Sequence, residues 1–148
     1  MTAPVFVVPA TALAAASVGG VVRLGGAEGR HAVSVRRLGP GEPLDLVDGL
    51  GRRVTGTVAS IVDKESLDVD VHAILDEPPS PLQVAVVQAL PKGDRGELAV
   101  ELLTEIGVDA IVPWAAANCV TRWKGDRVER AHCRWADAAH AAAKQARR

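Results

Sequence analysis

Between Asp76 and Pro81 the chain reads DEPPSP, with three prolines in four residues. Proline removes a backbone donor and holds φ at about −65°, so neither a helix interior nor a central strand can run through this stretch. The hydrophobic pattern also changes across it, from short alternating runs to longer apolar runs with helical stripes between them. Two domains are implied: one over residues 1–75, a proline-rich linker over 76–81 and a second domain over 82–148. A chain of 148 residues with 48% hydrophobic content has enough apolar material for two small cores.

Before the linker the pattern is mostly β. Val5 to Val8, Val21 to Leu24 and Leu44 to Val47 are short apolar runs, and the last leads through DGLG, a turn signal, into a long strand from Arg53 to Val62. The stretch LDVDVH alternates strictly, setting Leu67, Val69 and Val71 on one face and Asp68, Asp70 and His72 on the other. AEGRHAVSVRRLGPGE reads as one short helix stopped by Gly39, Pro40 and Gly41. Short strands punctuated by glycine and proline suggest a small barrel.

After the linker the expectation is α/β. LQVAVVQAL resembles a strand covered on both faces in a parallel sheet. Asp94 and Glu97 have capping-box spacing, Leu98, Ala99, Leu102, Leu103 and Ile106 form one apolar stripe, and Gly107 marks the helix stop. VDAIVPW then supplies a second strand, and Asp126 with Glu129 opens a long helix carrying Val128, Ala131, Trp135, Ala138, Ala139, Ala142 and Ala146 at helical spacing. Two strands and a closing helix leave edges and a face uncovered, so the chain is expected to be the front part of a longer protein or to complete itself by dimerising.

Charge is unevenly spread. Residues 1–81 carry seven Lys/Arg against ten Asp/Glu, and residues 82–148 carry ten against eight, giving −3 and +2. Eight basic residues follow from Arg122 onward, a cluster able to neutralise phosphates or simply to solvate a helix face. No apolar run spans a bilayer and the N-terminus lacks the basic start of a signal peptide, so a cytoplasmic protein with no membrane partner is expected. Cys119 and Cys133 lack zinc-site spacing and are read as reduced, partly buried thiols.

PKGDRGE, after the first apolar run of the second domain, is neither a P-loop nor a dinucleotide fingerprint. Its place matters more than its letters, because ligands gather beyond the carboxyl ends of strands in open α/β sheets. Lys92 falls there, as a functional cation or as a lysine solvating a turn, and Trp114 is expected at the same edge. Core or interface packing is the ordinary role for Trp114, Trp123 and Trp135.

Three segments, QALPKGDRGELAVELLTEIGVDAIVPW, RWADAAHAAAKQARR and the upstream RHAVSVRRLGPGE, together resemble the ribosomal RNA small subunit methyltransferase E family. The resemblance covers almost the whole chain. It implies an α+β two-domain protein, with an N-terminal PUA-like β-barrel followed by an incomplete α/β SPOUT (α/β knot) methyltransferase domain. The implied activity is transfer of a methyl group from S-adenosylmethionine to N3 of a uridine in 16S rRNA. The implied partners are 16S rRNA or the small ribosomal subunit and, for the full-length parent, a second copy in a homodimer, with no DNA. His31, Val35, Arg37 and Gly41 match the first-domain motif, Lys92, Thr104, Glu105, Gly107, Val108 and Pro113 match the strand–helix–strand signature, and Arg134, Trp135, Gln145 and Arg148 match the helix signature. Leu102, Asn118 and Ala141 stand where many members have lysine, arginine and glutamate. The family's cofactor-binding knot follows the last of these segments, so the S-adenosylmethionine site is expected after Arg148, with the chain alone inactive.

The resemblance makes Arg148, Lys92 and Gln145 the catalytic candidates, with Arg148 first because a cation near the uracil carbonyls stabilises the N3 anion. A terminal solvated charge is the plain alternative for Arg148. RNA-binding candidates are Arg30, His31, Arg36 and Arg37 on the helix and Arg52 and Arg53 on the hairpin, although a lone histidine such as His31 is more often structural than a ligand. With Phe6 as its only aromatic residue, the first domain is expected to read RNA by shape and backbone rather than by stacking. Two other readings fit the same residues: an RNA-binding module without catalysis, and a small homodimeric α/β interaction protein.

Overall fold

The computed structural model describes residues 3–78 and 80–147, in two compact units, Met1–Pro79 and Ser80–Arg147. The first unit holds β1 (Val5–Val7), α1 (Ala10–Ala14), β2 (Val21–Leu24), α2 (Gly26–Arg30), β3 (Pro43–Val47), β4 (Arg52–Asp63) and β5 (Ser66–Asp76). The second holds β6 (Ala85–Ala89), α3 (Arg95–Glu105), β7 (Ala110–Trp114) and α4 (Arg127–Ala146).

In the first unit five strands form one sheet in the order β1-β3-β4-β5-β2. Only β1 and β3 run parallel; the other pairs are antiparallel. The expected barrel is therefore realised without closure, because β1 and β2 remain the two margins of the sheet. The long β4–β5 ribbon shifts register near Thr55, Val58 and Ile61, the irregularities by which a sheet bends. Alternation decides the inner face: Val54 and Val58 on β4 and Leu67, Val69 and Val71 on β5 are at most 2% exposed. They join Phe6, Leu24, Leu44 and Leu46 in one core. Each such side chain contributes roughly 1.5–3 kcal/mol on leaving water. Gly56 is fixed by packing, since a Cβ there would collide with the Asp70 carbonyl of the paired strand.

Two local features depart from the pattern. Residues Ala10–Ala14 form α1, whose Leu13 is completely buried, in a segment with no strong helical period. The helix expected across RHAVSV is α2 continued by a π-helical turn, His31–Val35. It ends before Gly39: Arg37 adopts φ 55°, and the Leu38 N–H reaches the Ala32 carbonyl at 3.1 Å. A left-handed backbone at a residue with a Cβ costs roughly 1–2 kcal/mol, so the packing of buried Ala32 and half-buried Leu38 imposes the turn.

In the second unit β6 and β7 are parallel partners joined through α3, with Val87 opposite Val112 and Ala89 opposite Trp114. The helix starts fall at the expected residues, but neither Asp94 nor Asp126 makes a side-chain cap. Glu97 instead accepts a bond from Arg134 Nε at 3.0 Å, which draws it away from the helix start. Gly107 has φ 92°, as a helix-stopping glycine should. α4 runs through Ala146, with Arg147 at φ 62° and ψ 37°.

The buried side of α3 differs from the expected stripe. Gly96 and Val100 face inward, while Leu98 and Leu102 are 52% exposed and Ile106 is 77% exposed. The reason is the small residue: Trp135 of α4 lies against Gly96, and that contact turns the Val100 side toward α4. β6 is likewise open on one face, with Val87 61% exposed, instead of covered on both.

Candidate functional site

The carboxyl ends of β6 and β7 converge as expected. The Leu90 N–H continues the ladder to the Trp114 carbonyl at 3.0 Å, and the chain then turns through Lys92 and Gly93, which has φ 68°, into α3. Lys92 is exposed at this edge. The opposite wall is a loop of alanines held by polar contacts. Arg122 donates through its two terminal nitrogens to the carbonyls of Ala116 and Ala117 at 2.6 and 2.8 Å, and Thr121 Oγ1 donates to the Pro91 carbonyl at 2.8 Å. Asn118 lies in the loop so fixed and is exposed.

Beside this edge is a cavity of about 620 Å³, lined by Leu90, Pro113, Ala115, Trp123 and Val128, with Glu129, His132 and Cys133 from the first turns of α4. Its size lies within the range of small-molecule sites. Behind it Trp123 meets Trp135 edge to face, with centroids 5.2 Å apart. Trp123 and Trp135 therefore have the packing role expected of them, whereas Trp114 is 54% exposed. Of the thiols Cys119 is half-buried, but Cys133 is exposed, contrary to the expectation of two partly buried groups.

Gln145 is not among the residues that line the cavity. Arg134 and Trp135 already lie against the first turn of α3, and Gln145 is exposed eleven residues beyond Arg134. That is roughly 16 Å further along the helix axis, away from the turns that line the cavity. Arg148 lies outside the described residues.

In the first unit Arg30, His31, Arg36 and Arg37 are all exposed, on one helical segment and the turn that ends it. His31 also meets Phe6 edge-on at 6.1 Å, so its ring has a packing role. Ser34 Oγ donates to the Lys64 carbonyl at 2.9 Å and ties the segment to the β4–β5 hairpin. Gly29 permits the close approach, because a Cβ there would strike the Glu65 carbonyl. Arg52 and Arg53 differ: Arg52 pairs with Asp76 at 3.0 Å and donates to the Leu13 carbonyl, and Arg53 lies 3.8 Å from the buried Asp45. Both are partly buried and engaged within the fold, a pairing between distant positions that spacing could not reveal. On the sheet surface Arg23 and Asp68 form a two-pronged pair at 2.8 and 3.0 Å, which raises the guanidinium pKa and holds the Asp68 carboxyl below its ordinary value.

Among the described residues no cluster of His, Cys, Asp or Glu could hold a metal, and no helix is long and apolar enough to cross a membrane.

Residues 24–71 match the family described as RNA methyltransferase PUA domain, and residues 78–148 match the family described as RNA methyltransferase domain. Sheet unit followed by α/β unit is thus the arrangement of one class, RNA methyltransferases built from these two domains. The ribosomal RNA small subunit methyltransferase E of Mycobacterium bovis is 45% identical over 130 residues, covering 88% of this chain and 49% of that protein. The Bacillus subtilis protein of the same name is 26% identical over 123 residues, covering 83% of this chain and 48% of that protein. Among solved structures, the Neisseria gonorrhoeae ribosomal RNA small subunit methyltransferase E bound to S-adenosyl methionine aligns with a TM-score of 0.80 at 28% identity, covering 99% of this chain and 59% of that one. The chain belongs to the ribosomal RNA small subunit methyltransferase E family. It spans about half the length of the curated relatives it matches.

The cavity beside Lys92 does not fit S-adenosylmethionine as a complete site. Its wall suits an apolar ring and Glu129 could accept from hydroxyls, but no lysine or arginine lines it to meet the amino-acid carboxylate of the donor.

Proposed function

We propose that this chain acts in S-adenosylmethionine-dependent methylation of N3 of a uridine in 16S rRNA, as part of a homodimeric enzyme whose partner is the small ribosomal subunit or its RNA. The observation that carries this reading is the ordered pair of domains, supported by 45% identity to a named relative across both. The first unit holds the RNA backbone through Arg30, Arg36 and Arg37, with His31 beside them. Arg52 and Arg53 are engaged within the sheet, by Asp76 and Asp45.

In the second unit Lys92 stands at the carboxyl edge of the sheet. Uracil N3 must lose its proton before it attacks a methyl group. An ammonium close to the flanking carbonyls favours that anion without consuming it. Lys92 is the leading candidate for this role among the described residues. Gln145 and Arg148, from the helix signature, are the further candidates for this step.

Deleting the gene from its native cells and mapping modified uridines in 16S rRNA by mass spectrometry tests the reading. One N3-methyluridine is expected to disappear, to return with the wild-type gene and to stay absent with Lys92→Ala. An unchanged modification map in the deletion strain would overturn the assignment.

A further inference from the structure

Arg37 is one of two described residues other than glycine with positive φ, the other being Arg147 at the end of α4. Two hydrogen bonds impose its conformation. The Arg36 N–H donates to the His31 carbonyl at 2.8 Å, and the Leu38 N–H reaches past Arg37 to the Ala32 carbonyl. Ala32 is fully buried and Leu38 packs against the same core, so the chain must turn left-handed at position 37 whatever side chain stands there. Glycine would make this turn without strain. Glycines stand only two and four residues away, yet this position carries an arginine.

The side chain gives no internal return for that strain. Arg37 is exposed and forms no hydrogen bond or ion pair among the described residues. The acid nearest in sequence after it, Glu42, is engaged by the Gly39 N–H at 2.8 Å. A residue kept in a sparsely populated backbone conformation, held from both sides and with its functional group open to solvent, points to a use for that group.

We propose that Arg37 sets the register of the first unit on RNA by presenting its guanidinium as a two-pronged donor to one phosphate of a folded RNA. Arg30 and Arg36 then supply longer-range attraction. This rests on the reading that the first unit carries the RNA. A planar fork meets two phosphate oxygens at once, whereas a lysine offers a point charge, so the contact depends on the guanidinium and not on charge alone. Backbone contacts of this kind position a protein without reading bases, in keeping with a unit whose only aromatic residue, Phe6, is 1% exposed.

The test uses the full chain and a fluorescein-labelled RNA hairpin, with anisotropy titrations over a range of salt concentrations and thermal unfolding of each variant. Arg37→Gly is expected to unfold at a temperature a few degrees higher than wild type, yet to bind about tenfold more weakly at low salt, with the salt slope lowered by about one. Arg37→Asn, which tolerates the same backbone, should lose affinity equally. Arg37→Lys should keep the slope while binding roughly threefold more weakly. If Arg37→Gly and Arg37→Asn bind as wild type while Arg30→Ala and Arg36→Ala lower the slope, the role of Arg37 is refuted and the RNA-binding reading stands. If the wild-type chain shows no salt-dependent affinity at all, that reading fails and the inference with it.

Discussion

Gly96 and Trp135 meet where α3 and α4 cross, so closely that a Cβ added to Gly96 would lie 2.7 Å from the indole Nε1 and 3.1 Å from the adjoining ring carbons. Trp135 is 7% exposed and is the largest side chain in the small core it shares with Leu90 and Val100. The second unit depends on this contact for its helix pair. The nearby Arg134–Glu97 bond is exposed and contributes little beyond orientation.

Gly96→Ala should therefore destabilise the second unit by roughly 1–3 kcal/mol through overpacking, and Trp135→Ala by roughly 3–5 kcal/mol through lost burial and a cavity. Urea unfolding followed by near-ultraviolet circular dichroism measures both. A Gly96→Ala protein as stable as wild type would show that the helices separate at no cost.

Acid should weaken the first unit. Arg23 holds the Asp68 carboxyl below its ordinary pKa of 3.8, and the Glu65 backbone N–H does the same for Asp63. These carboxyls bind a proton less readily folded than unfolded, so their contribution is complete above the ordinary carboxylate value and is lost as pH falls through the lowered one. Asp68→Asn should flatten the decline in melting temperature below about pH 4. An identical pH profile for the variant would contradict the assignment.

Trp114 at 54% exposure and Trp135 at 7% should respond differently to a fluorescence quencher. Iodide should quench one part of the tryptophan emission readily and leave another protected, and Trp114→Phe should remove most of the accessible part. Uniform quenching of all three indoles would be inconsistent with these burials.

Arg122 alone supplies two bonds to the alanine loop after β7. Arg122→Ala should speed cleavage by elastase around Ala115–Ala117 severalfold without unfolding the unit, since loops are cut where local order is weak. Equal cleavage rates would mean that the loop is held by something else.

The alternation of Leu67, Val69 and Val71 revealed β5 because a half-buried strand needs only local periodicity, and Gly107 marked the end of α3 because only a left-handed turn follows there. The apolar residues of α3 also revealed a helix. They could not reveal which neighbour that helix would meet, and the contact at Gly96 leaves Leu98, Leu102 and Ile106 in solvent. Capping spacing located both helix starts but not their hydrogen bonds, since Glu97 is taken by a residue 37 positions away. At the strand edge, the exposed position of Lys92 was legible from its place after an apolar run. The engagement of Arg52 by Asp76 and the strain at Arg37 arise only when distant segments come together.

Val87 lies opposite Val112 on the open side of the parallel strand pair, with exposed Trp114 two residues further along β7. In practice that surface should act as an adhesive: concentrated samples should scatter light, bind a hydrophobic-interaction resin and be lost to plastic, and mild detergent should recover them. Changing Val87 to lysine would give the biochemist a better-behaved preparation while leaving both cores as they are.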